Sequence, residues 1–266
     1  MKIIHHIAIP SNNFAISPLQ EYKLTAIKSG PLLTVLEIND DDKHWSIVRR
    51  IAVEQKYSIN SKTIFSKDEL DSAHVLEMVS DWHNGYPQPE DKYKQETFEC
   101  ATCCTTCGIG YIQKAPFQLK GVQKWGRRKI FQLNWIYDAY FVEPNVWEHV
   151  FKEFRIDAME VIDYKRKRIL ENVVQLIIPS SKTTIEETDC VKSNVCKECG
   201  RVKYEAPQYG MFPKLDITHT KPLFKIADWF GSGAYAFNPI FVSAELYVKI
   251  TEFKLKGVSF IPVRDC

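Results

Sequence analysis

The sequence is short of the features that announce a membrane protein or an enzyme. No apolar run is long enough to cross a bilayer. Lys and Arg number 35 against 33 Asp and Glu, a net charge of +2, so no excess of one sign points to nucleic acid or an anionic membrane. With 11 Gly and 13 Pro among 266 residues, no long low-complexity tract is expected. None of the seven histidines starts a His-x-Glu, no Pro precedes a Cys-x-x-Cys, and His-Glu-x-x-His is absent, which removes the zinc deaminase and zincin signatures. There is no Gly-x-Ser-x-Gly elbow and no Walker A loop. Gly108-x-Gly110 and Gly231-x-Gly233 lack the third glycine of a dinucleotide fingerprint and read as turns.

The start of the chain, Met1 to Pro10, has one Lys, a short apolar stretch broken by His5 and His6, and no small-residue cleavage site. It reads as a first β-strand rather than a secretory signal. The expected location is therefore cytoplasmic, where thiols stay reduced and eight cysteines favour metal over disulfides.

What the chain does contain is one short motif twice. Cys104-Thr105-Thr106-Cys107-Gly108 and Cys196-Lys197-Glu198-Cys199-Gly200 each place two thiolates one tight turn apart, followed by a glycine that can take positive φ. Cys104, Cys107, Cys196 and Cys199 together make a complete tetrahedral shell for one zinc, with no position left for substrate. A thioredoxin-like redox pair would need a helix beginning at the motif, whereas a turn and then a strand are expected after each. Cys100 and Cys103 form a further Cys-x-x-Cys directly before Cys104, and either could compete as a ligand. Cys190 and Cys266 have no partner motif and read as plain cysteines.

Along the chain, Leu32–Ile38 and Ser46–Val53 carry the β-branched enrichment of strands, with Asn39–Asp42 as a turn between them. Ser66 and Glu69 form a capping box. Leu70, Ala73, Leu76, Val79 and Trp82 then recur at helical spacing, predicting a helix that ends at Asn84-Gly85-Tyr86-Pro87. A polar connector, Gln88 to Glu99, leads to the first motif. Phe141–Val161 and Phe241–Phe260 align as an internal repeat of strand, capped amphipathic helix and strand. Val146, Trp147, Val150 and Phe154 make one helix face, and Leu246, Tyr247, Ile250 and Phe253 the other.

Two basic clusters stand out: Lys124 to Lys129, with Trp125 as a stacking platform, and Lys165-Arg166-Lys167-Arg168. Both read as solvated faces, because the acidic count nearly matches the basic one, so nucleic acid is not the expected partner. His5 and His6 would point to opposite faces of a strand and cannot chelate one ion together.

With these motifs the chain resembles the double-CxxCG-motif immunity proteins of bacterial contact-dependent and polymorphic toxin systems, the type associated with myxobacterial swarming-inhibition toxins. The resemblance covers roughly residues 80 to 263. It rests on the two motifs, on Asp228-Trp229-Phe230, on Phe241-Val242-Ser243 and on the closing Leu255-Lys256-Gly257-Val258-Ser259-Phe260. It implies a non-enzymatic protein that binds and neutralises a cognate protein toxin, with the cysteines as zinc ligands. The expected fold is α+β: a β-rich N-terminal region with one helix (1–95), then two knuckle-strand-helix-strand units (96–185 and 186–266) joined by one structural zinc per chain. The competing reading is a zinc-ribbon nucleic-acid-binding or regulatory protein.

Overall fold

The computed structural model describes residues 1–14, 17–186, 191–217 and 221–264. Within them the protein is α+β and strand-rich, with few and short helices. It forms two compact units, Met1–Glu69 with Pro207–Gly210, and Leu70–Ala206 with Met211–Cys266. The boundaries expected at 95 and 185 do not coincide with this division.

In the first unit, β1 (Lys2–Pro10) lies inside a four-stranded antiparallel sheet. Its neighbours are β3 (Leu33–Asn39) and β4 (Ser58–Ile64), and β2 (Thr25–Ser29) pairs the far side of β3. The short α1 (Ser11–Phe14) follows β1. Alternation decides the faces. Ile7 and Ile9 of β1 and Leu36 and Ile38 of β3 are buried against Val48 and Ala52. His5 is buried, stacked 3.7 Å from the Trp45 ring, with Nδ1 2.7 Å from Ser61 Oγ. His6 points the other way, to Glu37.

Ser46–Val53, expected as a strand, belongs to a helix, α2 (Trp45–Glu54). Val48 and Ala52, four residues apart, are both fully buried, while Arg49 and Arg50 are both exposed. A strand would have turned one of those adjacent arginines inward; a helix sends both to water.

At the end of the first unit's main segment the capping box forms: the Glu69 N–H donates to Ser66 Oγ at 3.2 Å, and the Ser66 N–H to Glu69 Oε2 at 2.8 Å. The helix it starts, α3, stops at Asp71 (Lys67–Asp71), and β5 (Val75–Ser80) follows in place of the longer helix expected. β5 is buried on both faces, with Leu76 and Met78 in one core and Val75 in another. A doubly buried strand reads as a nearly continuous apolar run, which helical spacing also fits.

The short α4 (Tyr93–Thr97) precedes a two-stranded pair, β6 (Phe98–Glu99) with β7 (Ile112–Gln113). A five-stranded sheet then runs β8 (Gln118–Leu119), β11 (Ala158–Asp163), β12 (Ile169–Leu176), β10 (Phe141–Val142), β9 (Ile130–Phe131). A hairpin is made by β13 (Ser193–Val195) and β14 (Val202–Tyr204). A four-stranded sheet runs β15 (Leu223–Lys225), β16 (Ile240–Ser243), β5, β17 (Val258–Pro262).

Both segments that align in sequence fold as strand, helix, strand. Between β10 and β11 the helix is α5 (Pro144–Val146) continued by a π turn (Trp147–Phe151) and a 3₁₀ turn (Lys152–Phe154). Between β16 and β17 it is α6 (Ala244–Glu252), capped by Ser243 Oγ accepting from the Leu246 N–H. In each case the two strands flank a third, antiparallel strand. In the first that strand is β12, which follows; in the second it is β5, from upstream of the first knuckle. The segments are therefore not two self-contained consecutive units. Val146, Val150, Leu246, Tyr247 and Ile250 share one core with Val142 and Val242. The neighbouring Phe141 and Phe241 face separate layers on the far side of each sheet.

Candidate metal centre

The two knuckles have the same backbone construction. In the first, the Cys104 N–H donates to Ile109 O at 2.9 Å and the Gly108 N–H to Cys104 O at 2.8 Å. In the second, the Cys196 N–H donates to Arg201 O at 3.0 Å and the Gly200 N–H to Cys196 O at 2.8 Å. Both turns close only with left-handed backbone at the glycine, φ 81° at Gly108 and 71° at Gly200. No helix begins at either motif; the second knuckle is the tip of the β13–β14 hairpin.

The fold brings the four sulfurs together. Cys104 and Cys196 Sγ are 3.9 Å apart, Cys107 and Cys199 Sγ 3.7 Å, and all four lie within 4.8 Å of one another. A tetrahedral zinc with bonds of about 2.3 Å needs sulfur–sulfur edges of about 3.8 Å; two of the distances match that edge, and the whole set lies close enough to hold a metal ion. Cys104 and Cys107 are buried, Cys196 is half-buried and Cys199 is exposed. Ile109, Trp229 and Ala236 pack around the sulfurs.

The surroundings prepare thiolates unevenly. The Cys199 thiol is pulled down to about 6, first by the Arg201 guanidinium, whose Nε lies 3.5 Å from the sulfur, and then by the Arg201 N–H. The Cys104 thiol is lowered by the N–H groups of Cys107 and Thr106. The Cys107 thiol is pushed up to about 11 by burial, against the Ile109 N–H. Amides and a guanidinium aimed at sulfur favour the deprotonated ligand, and a bound dication would supply the compensation that the buried Cys107 lacks.

Cys100 and Cys103, the open candidates, pair with each other in a disulfide, their Cα atoms 4.9 Å apart. Neither offers a thiol to the site, and the expectation that the cysteines favour metal over disulfides is corrected for this pair. A Cys-x-x-Cys turn already brings its Cα atoms within disulfide range. Cys190 and Cys266 lie outside the described residues.

Two side chains that sequence reasoning missed join the knuckles. Lys203, on β14 and only 5% exposed, donates through Nζ to Cys107 O at 2.8 Å, Gly233 O at 2.7 Å and Tyr235 O at 3.0 Å. All three ammonium protons are thereby used on the backbone of the first knuckle and of the 233–235 loop. Arg201 reaches from the second knuckle to Thr102 O at 2.8 Å. Neither stands out in sequence, because a lysine next to a zinc ribbon is ordinarily solvated.

Gly108 carries a second constraint. A Cβ there would lie 2.4 Å from Ala234 O, whereas at Gly200 it would meet nothing. Gly108→Ala should therefore lower the melting temperature clearly more than Gly200→Ala, which adds only the left-handed strain of about 1 kcal/mol. Thermal melts of the two variants check this; equal losses would mean that the 234 loop yields.

Beside the first knuckle opens an aromatic cleft, with a cavity of about 50 Å³, lined by Tyr93, Tyr111, Trp135, Tyr137, Trp229 and Tyr235 together with Lys94 and Gly108. Tyr137 and Tyr235 are 41% and 42% exposed. The Lys94 ammonium sits 5.4 Å from the centroids of both Tyr111 and Tyr235, and burial lowers its pKa. Trp135 is stacked on Tyr93 and holds a φ of 71°, left-handed backbone that is costly for so bulky a residue.

No protein-family model matches this chain, and no curated protein or solved structure matches it. No helix among the described residues is long and apolar enough to cross a membrane.

Proposed function

We propose that this protein is a cytoplasmic immunity protein that binds and neutralises a cognate bacterial toxin by occluding or distorting it, without catalysis of its own. The observation that carries the reading is the closed four-thiol site. It unites two Cys-x-x-Cys-Gly knuckles 92 residues apart in sequence, with spacings that suit zinc and no ligand position left for a substrate. In this reading one zinc per chain pins two related strand-helix-strand elements into one binding body.

The aromatic cleft is the proposed toxin-contacting surface. Tyr and Trp at half exposure around a small pocket, with a cation inside it, have the composition of interface hot spots. Asp138, the carboxylate in the lining of the cleft, is taken by Lys225 at 3.0 Å, and none pairs with Lys94 among the described residues, so an acidic side chain of the toxin suits the pocket.

The reading expects a large toxin gene directly upstream of this one, and the test is co-expression with its product. Rescue of growth and a 1:1 complex on gel filtration are expected. Tyr235→Ala and Lys94→Ala should each weaken the complex at least about tenfold, the cost of losing a hot-spot contact of about 1.4 kcal/mol or more. A toxin that is neither bound nor neutralised removes the immunity reading; wild-type affinity in both variants removes the cleft as its face.

A further inference from the structure

The near balance of charge over the whole chain hides a local excess. Three segments distant in sequence meet on one face of the second unit. The loop between β8 and β9 carries Lys120, Lys124, Arg127 and Arg128, and the turn between β11 and β12 carries Lys165 and Arg166. The turn before β17 adds Lys256. Backbone bonds fix the arrangement: β8 runs parallel to β11, the Tyr164 N–H donates to Leu119 O, and the Lys129 N–H donates to Lys256 O. Trp125 Nε1 donates to Asn172 O and Asn172 Nδ2 to Gln123 O, tying the loop down onto β12.

The result is two adjacent open grooves. One, of about 590 Å³, lies between Lys120 and the Lys165–Arg166 turn; the other, of about 720 Å³, lies between Lys124, Arg127, Arg128 and Lys256. All seven basic residues are exposed. Lys120 pairs with Glu90, but among the described residues no carboxylate pairs with Lys124, Arg127, Arg128, Lys165 or Arg166. Two acidic groups line the grooves against the seven basic ones. Asp163 is buried and accepts from the N–H groups of Lys165 and Arg166, and Asp81 accepts from the Ser259 hydroxyl.

We propose that this face binds the phosphodiester backbone of a nucleic acid, through charge and arginine forks rather than through base contacts. The chemistry of the surface selects this partner over an acidic protein. Protein interfaces deplete charge, lysine above all, from their centre and place apolar or aromatic anchors there, whereas nucleic-acid interfaces are polar and strongly positive. Here the one exposed large apolar side chain in the grooves is Val122; Trp82, at the wall of the larger groove, and Trp125 are half-buried and pack on Phe131. Trp125 is therefore not the stacking platform its sequence position suggests. With seven exposed cations and no fully exposed ring in the two grooves, recognition falls chiefly to phosphate, which makes it insensitive to sequence and sensitive to salt.

Fluorescence anisotropy with a labelled single-stranded oligonucleotide of about 20 residues tests this. If about four phosphates are neutralised, affinity should fall roughly 50-fold between about 50 and 200 mM salt. Arg127→Glu with Arg128→Glu, and separately Lys165→Glu with Arg166→Glu, should each weaken binding at least about tenfold and flatten the salt slope by about 1.4, two phosphate contacts at about 0.7 each. These side chains are exposed and hold no carboxylate, so the variants should melt like the parent. Lys182→Glu with Lys221→Glu changes net charge equally but lines neither groove, and should leave affinity within about threefold. No binding at low salt overturns the proposal. So does an equal loss in the control pair, which would reduce the effect to net charge. Polyglutamate binding as tightly as the oligonucleotide overturns it in favour of an acidic protein partner.

Discussion

Replacing Cys107 or Cys199 by Ser should destabilise the second unit severely, and stripping the metal with a chelator should do the same to the unaltered protein. A structural zinc site contributes about 10–16 kcal/mol of binding free energy in small domains, comparable with or larger than the whole stability of a typical domain. A serine hydroxyl cannot replace a thiolate in a four-sulfur shell, and the other three sulfurs, held within 4.8 Å of one another, would then repel or oxidise. The expected result is a fall in melting temperature of more than about 10 °C, with loss of the single zinc in elemental mass spectrometry. Cys100→Ser provides the contrast. Its disulfide spans a sequence separation of only 3, a closed loop too short to restrict the unfolded chain by much, so the loss should be small. Cys190→Ser and Cys266→Ser should also be tolerated. If all these variants melt alike, or if the purified protein carries no metal, the four thiols are not a metal centre.

Lys203→Met should cost about 3–5 kcal/mol, far more than a surface lysine would. Methionine keeps the length of the stem but removes three donors. The carbonyls of Cys107, Gly233 and Tyr235 would then face an apolar chain, two of them in the loop that closes over Gly108. Because one of these carbonyls belongs to Cys107, one of the four cysteines close enough to hold a metal ion, the variant should also release zinc from the proposed site to a chelator faster than the parent. Urea denaturation and the rate of chelator-driven zinc release measure the two effects. A loss below about 1 kcal/mol would show that water replaces the ammonium at little cost, and that the knuckles are held by the metal alone.

Much of the site is legible from spacing. The four ligands belong to two short motifs whose geometry is local: each turn closes on its own amide bonds and needs only its own glycine. The capping box at Ser66 and Glu69, the Ser243 cap and the strand at Lys2–Pro10 are legible for the same reason, since the partners that satisfy them lie within a few residues or follow strict alternation.

Tertiary structure decided whatever depends on partners far along the chain. Val75–Ser80 became a strand because β16 and β17, more than 160 residues away in sequence, pair with both its edges while two separate cores cover its faces, which local periodicity cannot reveal. Ser46–Val53 became a helix because Val48 and Ala52, one turn apart, are buried together against Ile7, Ile9, Leu36 and Ile38 of the sheet. Lys203, the aromatic cleft and the basic face exist only after folding, since each is assembled from segments between about 30 and 140 residues apart. The sequence by itself therefore determined the chemistry available, four thiolates in two rigid turns. Folding decided which cations were buried as clamps and which were left facing solvent, because burial and the loss of water that goes with it are properties of the packed chain and not of any one stretch of it.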